Sequence, residues 1–241
     1  MAADSRPHLT DHQDTQLAEY HALSKLAVVG LIFGLLAPVA LVDPMLWALP
    51  LLGVVFSGFG LWRIAGNRAV LIGRKAALIG LMLSLFFGAV ATGDWLAYRL
   101  MVRAEARRFV GAWFEMLTGN QPMKAHQLIL YPQHRRVTGE RLEDFYAGGP
   151  RWQEELDEFL QRPLIARLLD FGPEAQVRYL ETTGHSRDGR RDYLFQIYAV
   201  TGQEDGRPKT ILVGMQLERH KQETGVATWR IASAEEGEKS G

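Results

Sequence analysis

Cysteine is absent from the 241 residues, which excludes disulfides, thiolate metal sites, iron–sulfur clusters and cysteine nucleophiles, and leaves the redox compartment open. Net charge is absent too, since 27 basic residues balance 27 acidic ones. A nucleic-acid partner calls for a basic excess or a recognisable motif, and neither is present. No stretch carries the spacing of a catalytic or cofactor-binding motif, so no cofactor is expected. The most telling shortage is local. Between Leu26 and Thr92 the only charged residues are Asp43, Arg63, Arg68, Arg74 and Lys75, whereas the chain from Asp94 to Gly241 holds 21 basic and 22 acidic residues. The mean hydropathy of -0.07 therefore averages a segment suited to lipid with one suited to water.

Three apolar runs fill the uncharged block: Leu26 to Val42, Met45 to Ala65 and Ala76 to Thr92. Each approaches the roughly 17–25 residues that cross a hydrocarbon core about 30 Å thick, and none has the polar face that a helix in water needs. The sequence predicts three spans in a membrane domain over 25–93, preceded by a polar tail over 1–24 and followed by a soluble domain over 94–241. The first run follows an acidic tail and continues through Asp43-Pro44 into the second, which argues against a cleaved signal. Lys and Arg are missing from the link between the first two runs, while Arg63, Arg68, Arg74 and Lys75 crowd the next. The positive-inside rule puts that basic link and the N-terminus in the cytoplasm, and the domain after Asp94 outside. Arg99, Arg103, Arg107 and Arg108 follow the third run and pull the other way.

Small residues recur at one-turn spacing within the runs: Gly30 and Gly34, Gly53 and Ser57, then Gly80, Ser84 and Gly88. This spacing lets helix backbones approach closely, and it predicts packing of the spans on one another. No ionisable residue sits mid-span, so an ion or proton path is not expected. The stretches LeuAlaValValGlyLeuIlePheGlyLeuLeu at 26–36, GlyValValPheSerGlyPheGlyLeuTrpArgIleAla at 53–65 and GlyArgLysAlaAlaLeuIleGlyLeuMetLeuSer at 73–84 together resemble the bacterial membrane domain of unknown function numbered 4190. Its most specific element is the Gly73-Arg74 lead-in to the last span. The resemblance covers about residues 24–92 and implies a bacterial inner-membrane anchor; it brings no catalytic residues.

Beyond the block, Phe109, Val110, Trp113, Phe114 and Leu117 follow the spacing of an amphipathic helix ending at Gly119-Asn120. Short helices are predicted after Pro122, over 142–147, and on both sides of Pro163 up to Gly172-Pro173. The period then becomes alternating, with strands expected near 175–183, 191–201, 209–219 and 226–232. Asp188-Gly189, Asp205-Gly206 and Thr224-Gly225 lie between them as hairpin signals. Helices followed by a four-stranded antiparallel sheet make an α+β domain with its helices on one sheet face. This order, closing on Trp229-Arg230-Ile231, resembles the cone-shaped nuclear-transport-factor-2-like fold over about 104–234, which implies a curved sheet and an enclosed pocket. That fold serves both enzymes and binding modules.

Candidate site residues are few. His126, His134 and Arg135 gather near the second helix of the soluble domain, and Glu115 lies on the helix expected to line the cone. Any of them facing a pocket would offer an acid–base or ligand-binding group. Arg99, Arg103 and Arg107 recur every fourth residue and suit lipid headgroups. His8 and His12 are four apart, but two ligands without a third rarely hold zinc, so no metal is expected. Three functions stay open: a membrane-anchored domain that binds a small ligand or a protein without catalysis, an enzyme using Glu115 or His126 for proton transfer, and a structural component assembled through its glycines. What fills the inner side of the sheet discriminates between the first two.

Overall fold

The computed structural model describes residues 22–23, 25–66, 71–136, 141–222 and 225–237. His8, His12, Asn67 and Arg68 lie outside them. The chain divides into two compact units, 1–98 and 99–241.

In the first unit, β1 (Ala22–Leu23) precedes α1 (Lys25–Leu36), and two 3-10 turns, Ala37–Leu41 and Pro44–Trp47, lead into α2 (Ala48–Gly66). Next come β2 (Leu71–Ile72), paired parallel with β1, and α3 (Arg74–Thr118). Among the described residues two stretches, Pro44–Gly66 and Arg74–Thr118, are long and apolar enough to cross a membrane, not the three expected. The first run is shorter because Pro38 lacks the N–H that would continue the helix and disfavours α geometry in the residue before it. The α-helix therefore stops at Leu36 and tightens to 3-10 through Leu41. Asp43 then restarts the chain by accepting a 2.7 Å hydrogen bond from the Met45 amide.

The predicted small residues meet where the three helices pack. A Cβ on Gly34 would lie 2.6 Å from the Gly80 carbonyl oxygen, and one on Gly80 would lie 2.8 Å from the Gly30 oxygen. A Cβ on Gly30 would overlap Ser57, one on Gly53 would overlap Ser84, and Gly88 faces Pro50 at an ordinary 3.5 Å. Ser84 donates back to the Gly80 carbonyl at 2.7 Å. The large apolar side chains turn outward instead: Val42, Met45, Trp62 and Met82 are 82%, 87%, 75% and 71% exposed.

The second unit is α+β. The C-terminal part of α3 is followed by α4 (Pro122–Gln127), a 3-10 turn (Pro132–His134), α5 (Leu142–Gly148), α6 (Pro150–Leu160) and α7 (Pro163–Phe171). Proline in the first turn of α4, α6 and α7 occupies a position whose N–H has no intrahelical partner. The sheet is an antiparallel meander of β3 (Gln176–Asp188), β4 (Arg191–Glu204), β5 (Arg207–Lys221) and β6 (Ala227–Glu236). Its strands run longer than the alternation suggests because the hairpins are tight. Gly189 takes φ 56°, and Asp205-Gly206 takes φ 53° and 73°, so two-residue turns carry the pairing up to Asp188↔Arg191 and Glu204↔Arg207. Register shifts in β3–β4 and β5–β6 mark bulges, which bend strands.

One phase of the alternation faces the helices: Leu194, Gln196, Tyr198 and Val200 on β4, Ile211, Val213, Met215 and Leu217 on β5, and Trp229 and Ile231 on β6, all buried. Against them lies an α3 stripe of Val102, Ala106, Val110, Trp113, Phe114 and Leu117, each 0% exposed. Phe114 packs on Tyr198 at 5.5 Å and Phe109 on Trp229 at 6.3 Å. Phe171 of α7 fills the space above Gly202, where a Cβ would overlap its ring. Gln196, the one amide in this phase, is satisfied: it donates to Thr182 at 3.2 Å and accepts from the Tyr198 hydroxyl at 2.8 Å.

This packing predicts that a fragment over 99–241 is soluble and unfolds cooperatively when heated. Phe114→Ala removes a central contact, at a cost of about 3–5 kcal/mol, and lowers the midpoint by roughly 10 °C. Circular dichroism melts check both; a fragment that aggregates, or a variant that melts like the parent, contradicts the packing.

Candidate functional site

Three clusters of polar side chains stand out among the described residues of the second unit, beside the ion pairs of Arg167 with Glu204 and Glu236. The first is inside the sheet. Arg219 and Asp192 are cross-strand partners in the inward phase, 7% and 2% exposed at their side chains. Arg219 donates from Nε to Glu105 of α3 at 3.0 Å and from Nη1 to Asp192 at 3.5 Å. Trp229 Nε1 also donates to Glu105, at 3.3 Å. His185 Nε2 lies 3.1 Å from Asp192, and its Nδ1 is buried without a hydrogen-bond partner. Two carboxylates, a guanidinium and an imidazole thus tie α3 to β3, β4, β5 and β6. Breaking such a buried network strands a charge, so it fixes how the helix lies on the sheet.

The second place is the cluster behind α4. His126 is 4% exposed and its Nδ1 is 2.8 Å from the Tyr146 hydroxyl, which also receives the Gln127 amide at 2.9 Å. The hydroxyl has one proton to give, and the Met123 carbonyl is farther away at 3.4 Å. Whether that proton goes to His126 Nδ1 or to the Met123 carbonyl follows the imidazole tautomer. Burial pushes His126 below its ordinary value, against the attraction of Glu155, and pushes Tyr146 up to about 12. Phe159 closes the ring in at 5.2 Å.

The third place is an open cavity of about 340 Å³ on the outward face of the sheet, lined by Tyr131 and Pro132 of the 3-10 segment together with Arg191, Glu218, His220 and Arg230 of the strands. Arg230 Nε and Nη2 both donate to Glu218 Oε2, at 3.1 and 2.8 Å, and the Arg230 guanidinium lies 3.8 Å over the Tyr131 ring. Arg191 reaches the other oxygen of Glu218 at 3.6 Å.

The candidates from the sequence do not converge. Glu115 is on the exposed side of α3, one residue beyond buried Phe114. His134 is exposed, against the rings of Tyr131 and Trp152. Arg135 is a staple: it donates to the carbonyls of Leu130, Leu128 and Trp229 at 3.1, 3.1 and 2.6 Å, and burial with Arg230 nearby lowers it to about 10. Arg107 lies 5.1 Å from the Tyr179 ring, and Arg103 Nε is buried without a hydrogen bond. The helix-packing residues do meet, as described. Among the described residues no group of three or more metal-ligating side chains forms.

The inner network and the outer cavity escaped the sequence reading. A signal for the first exists: Asp192 is in phase with Leu194, and Arg219 with Leu217, so charges stand in an apolar alternation. For the cavity there is none, because Tyr131 is distant in sequence from Glu218 and Arg230. Comparison with known proteins adds no relative: no family model, curated protein or solved structure matches the chain.

His126 makes stability depend on pH. A group lowered in the folded state contributes stability above its unfolded pKa of about 6.5 and loses it as pH falls through the folded value. The thermal midpoint of the 99–241 fragment is expected to drop between pH 7.5 and 5, more steeply than in His126→Gln. Equal slopes would show that His126 does not titrate with folding.

Proposed function

We propose that this chain is a membrane-anchored protein whose α+β domain is a non-catalytic binding module. The carrying observation is the outward turn of the large apolar side chains in the first unit, while its small residues make the helix contacts. Such a surface is costly in water and ordinary in lipid, where helices associate through small residues. Aromatic and basic residues at the ends of the helices support the same placement. Trp47 and Trp95 meet edge to face at 5.6 Å at one end, and Trp62 and Arg63 close α2 at the other. From Lys75 to Trp95 a helix rises about 30 Å, the thickness of a hydrocarbon core.

Arg63 at the end of α2 and Arg74 and Lys75 at the start of α3, with Arg68 between them in sequence, favour a cytoplasmic link and an extracytoplasmic second unit. Ala22–Leu23, paired with Leu71–Ile72, then lies on the cytoplasmic side as well. We carry the membrane-domain and cone-fold resemblances forward in this reading, which places the chain in a bacterial inner membrane. The filled interior of the sheet favours binding over catalysis, because proton transfer needs groups converging on space for a substrate. Inside, Leu194, Met215, Trp113 and Phe114 leave His185 and Asp192 enclosed in structure. With Arg107 held on Tyr179 and Arg103 Nε buried, the headgroup role falls to Arg99.

The chain is expected to remain in the membrane pellet after alkaline carbonate extraction. Single cysteines placed at Asp43, Asn67 and Asp205 read the orientation, since no native thiol interferes. In intact cells an impermeant maleimide should label the first and third only. Release by carbonate contradicts the anchor, and labelling at Asn67 alone reverses the orientation.

A further inference from the structure

The outward cavity holds more chemistry than a general contact surface requires. Glu218 is nearly buried, 10% exposed at its side chain, and lies between two guanidiniums: Arg230 in a fork on one oxygen, and Arg191 at 3.6 Å on the other. Two cations and one anion leave these walls with one uncompensated positive charge. A guanidinium carries five N–H donors; Glu218 engages two nitrogens of Arg230 and lies near one of Arg191, and Tyr193 takes a further hydrogen bond from Arg191, so donors remain on both. The Arg191 side chain is 53% exposed and reachable from solvent. Tyr131 fixes Arg230 by stacking and is itself half exposed at the opening, next to Pro132.

We propose that this cavity binds a small organic monocarboxylate, with the carboxylate on the guanidiniums of Arg191 and Arg230 and the apolar part against Tyr131 and Pro132. This rests on the binding-module reading and names the ligand class. Charge selects the class: one negative charge neutralises the walls, whereas a phosphate dianion overshoots them beside a buried carboxylate. Geometry agrees, since a guanidinium offers a planar carboxylate two parallel donors and an exposed aromatic ring receives an apolar body. The volume of about 340 Å³ is at the small end of ligand sites, which run from about 300 to 1,000 Å³.

The test uses full-length protein in detergent micelles and equilibrium dialysis of sodium 1-naphthoate against an empty-micelle blank. The uncharged 1-naphthalenemethanol and inorganic phosphate serve as comparison probes. Naphthoate is expected to bind saturably, one per chain, and about tenfold more tightly than the alcohol, the scale of a charge-assisted hydrogen bond. Arg191→Gln leaves the Arg230–Glu218 fork in place and should weaken naphthoate about tenfold without affecting the alcohol. The proposal is overturned if naphthoate and the alcohol bind alike, if Arg191→Gln changes nothing, if phosphate displaces naphthoate at lower concentration than naphthoate itself binds, or if naphthoate shows no saturable binding. Failure by a chain that still resists carbonate extraction refutes the carboxylate site alone; a chain released by carbonate refutes the anchored-module reading.

Discussion

The packing of the C-terminal part of α3 on the inward face of the β-sheet is the interaction on which the second unit depends. Trp113, Phe114 and Leu117 bury together with Leu194, Tyr198, Val213 and Leu217, and the network of Glu105, Arg219, Asp192 and His185 ties the same helix to the strands. Glu105 reaches Arg219 and Trp229 from the same helix, which sets the helix's rotation as well as its position. With the inner face closed, the chemistry of the domain moves outward. Because successive strand residues alternate faces, Glu218 and Arg230 point to the open side, while Arg219 and Trp229 next to them point in.

The same helix changes character along its length. Up to about Thr92 its sequence has no polar face, and small residues are the ones turned to α1 and α2. From Val102 it becomes one-sided, with a buried stripe at three- and four-residue spacing and Glu115 and Arg107 on the outside. Close helix packing through glycine needs no hydrophobic drive, whereas a stripe of Trp, Phe and Leu against strands does. The two halves of α3 thus make their contacts by different means, the first through small residues and the second through large apolar ones.

Much of this was legible in the sequence, for physical reasons that differ by element. Asp205-Gly206 and Gly189 demand positive φ, and so they announce their hairpins. Gly30, Gly34 and Gly80 announce close approach. The first apolar run has the length of a span and no polar face, and Pro38 makes a shorter α-helix of it. Glu115 lies on the helix that packs on the sheet, but Phe114, one residue earlier, takes the inner side, and neighbours on a helix point about 100° apart. The outer cavity required strand register to bring Arg191, Glu218 and Arg230 side by side, and register between distant strands is not written in any one segment.

The central claim is that the first unit sits in lipid and the second in water, and tryptophan reads it most directly. Trp62 is 75% exposed among the apolar helices, and Trp113 is fully buried in the α+β core. In variants that keep one or the other of these as the sole tryptophan, reconstituted into vesicles with lipids brominated along their acyl chains, Trp62 fluorescence should be strongly quenched and Trp113 fluorescence unchanged. Quenching of Trp113, or full emission from Trp62, would contradict the account.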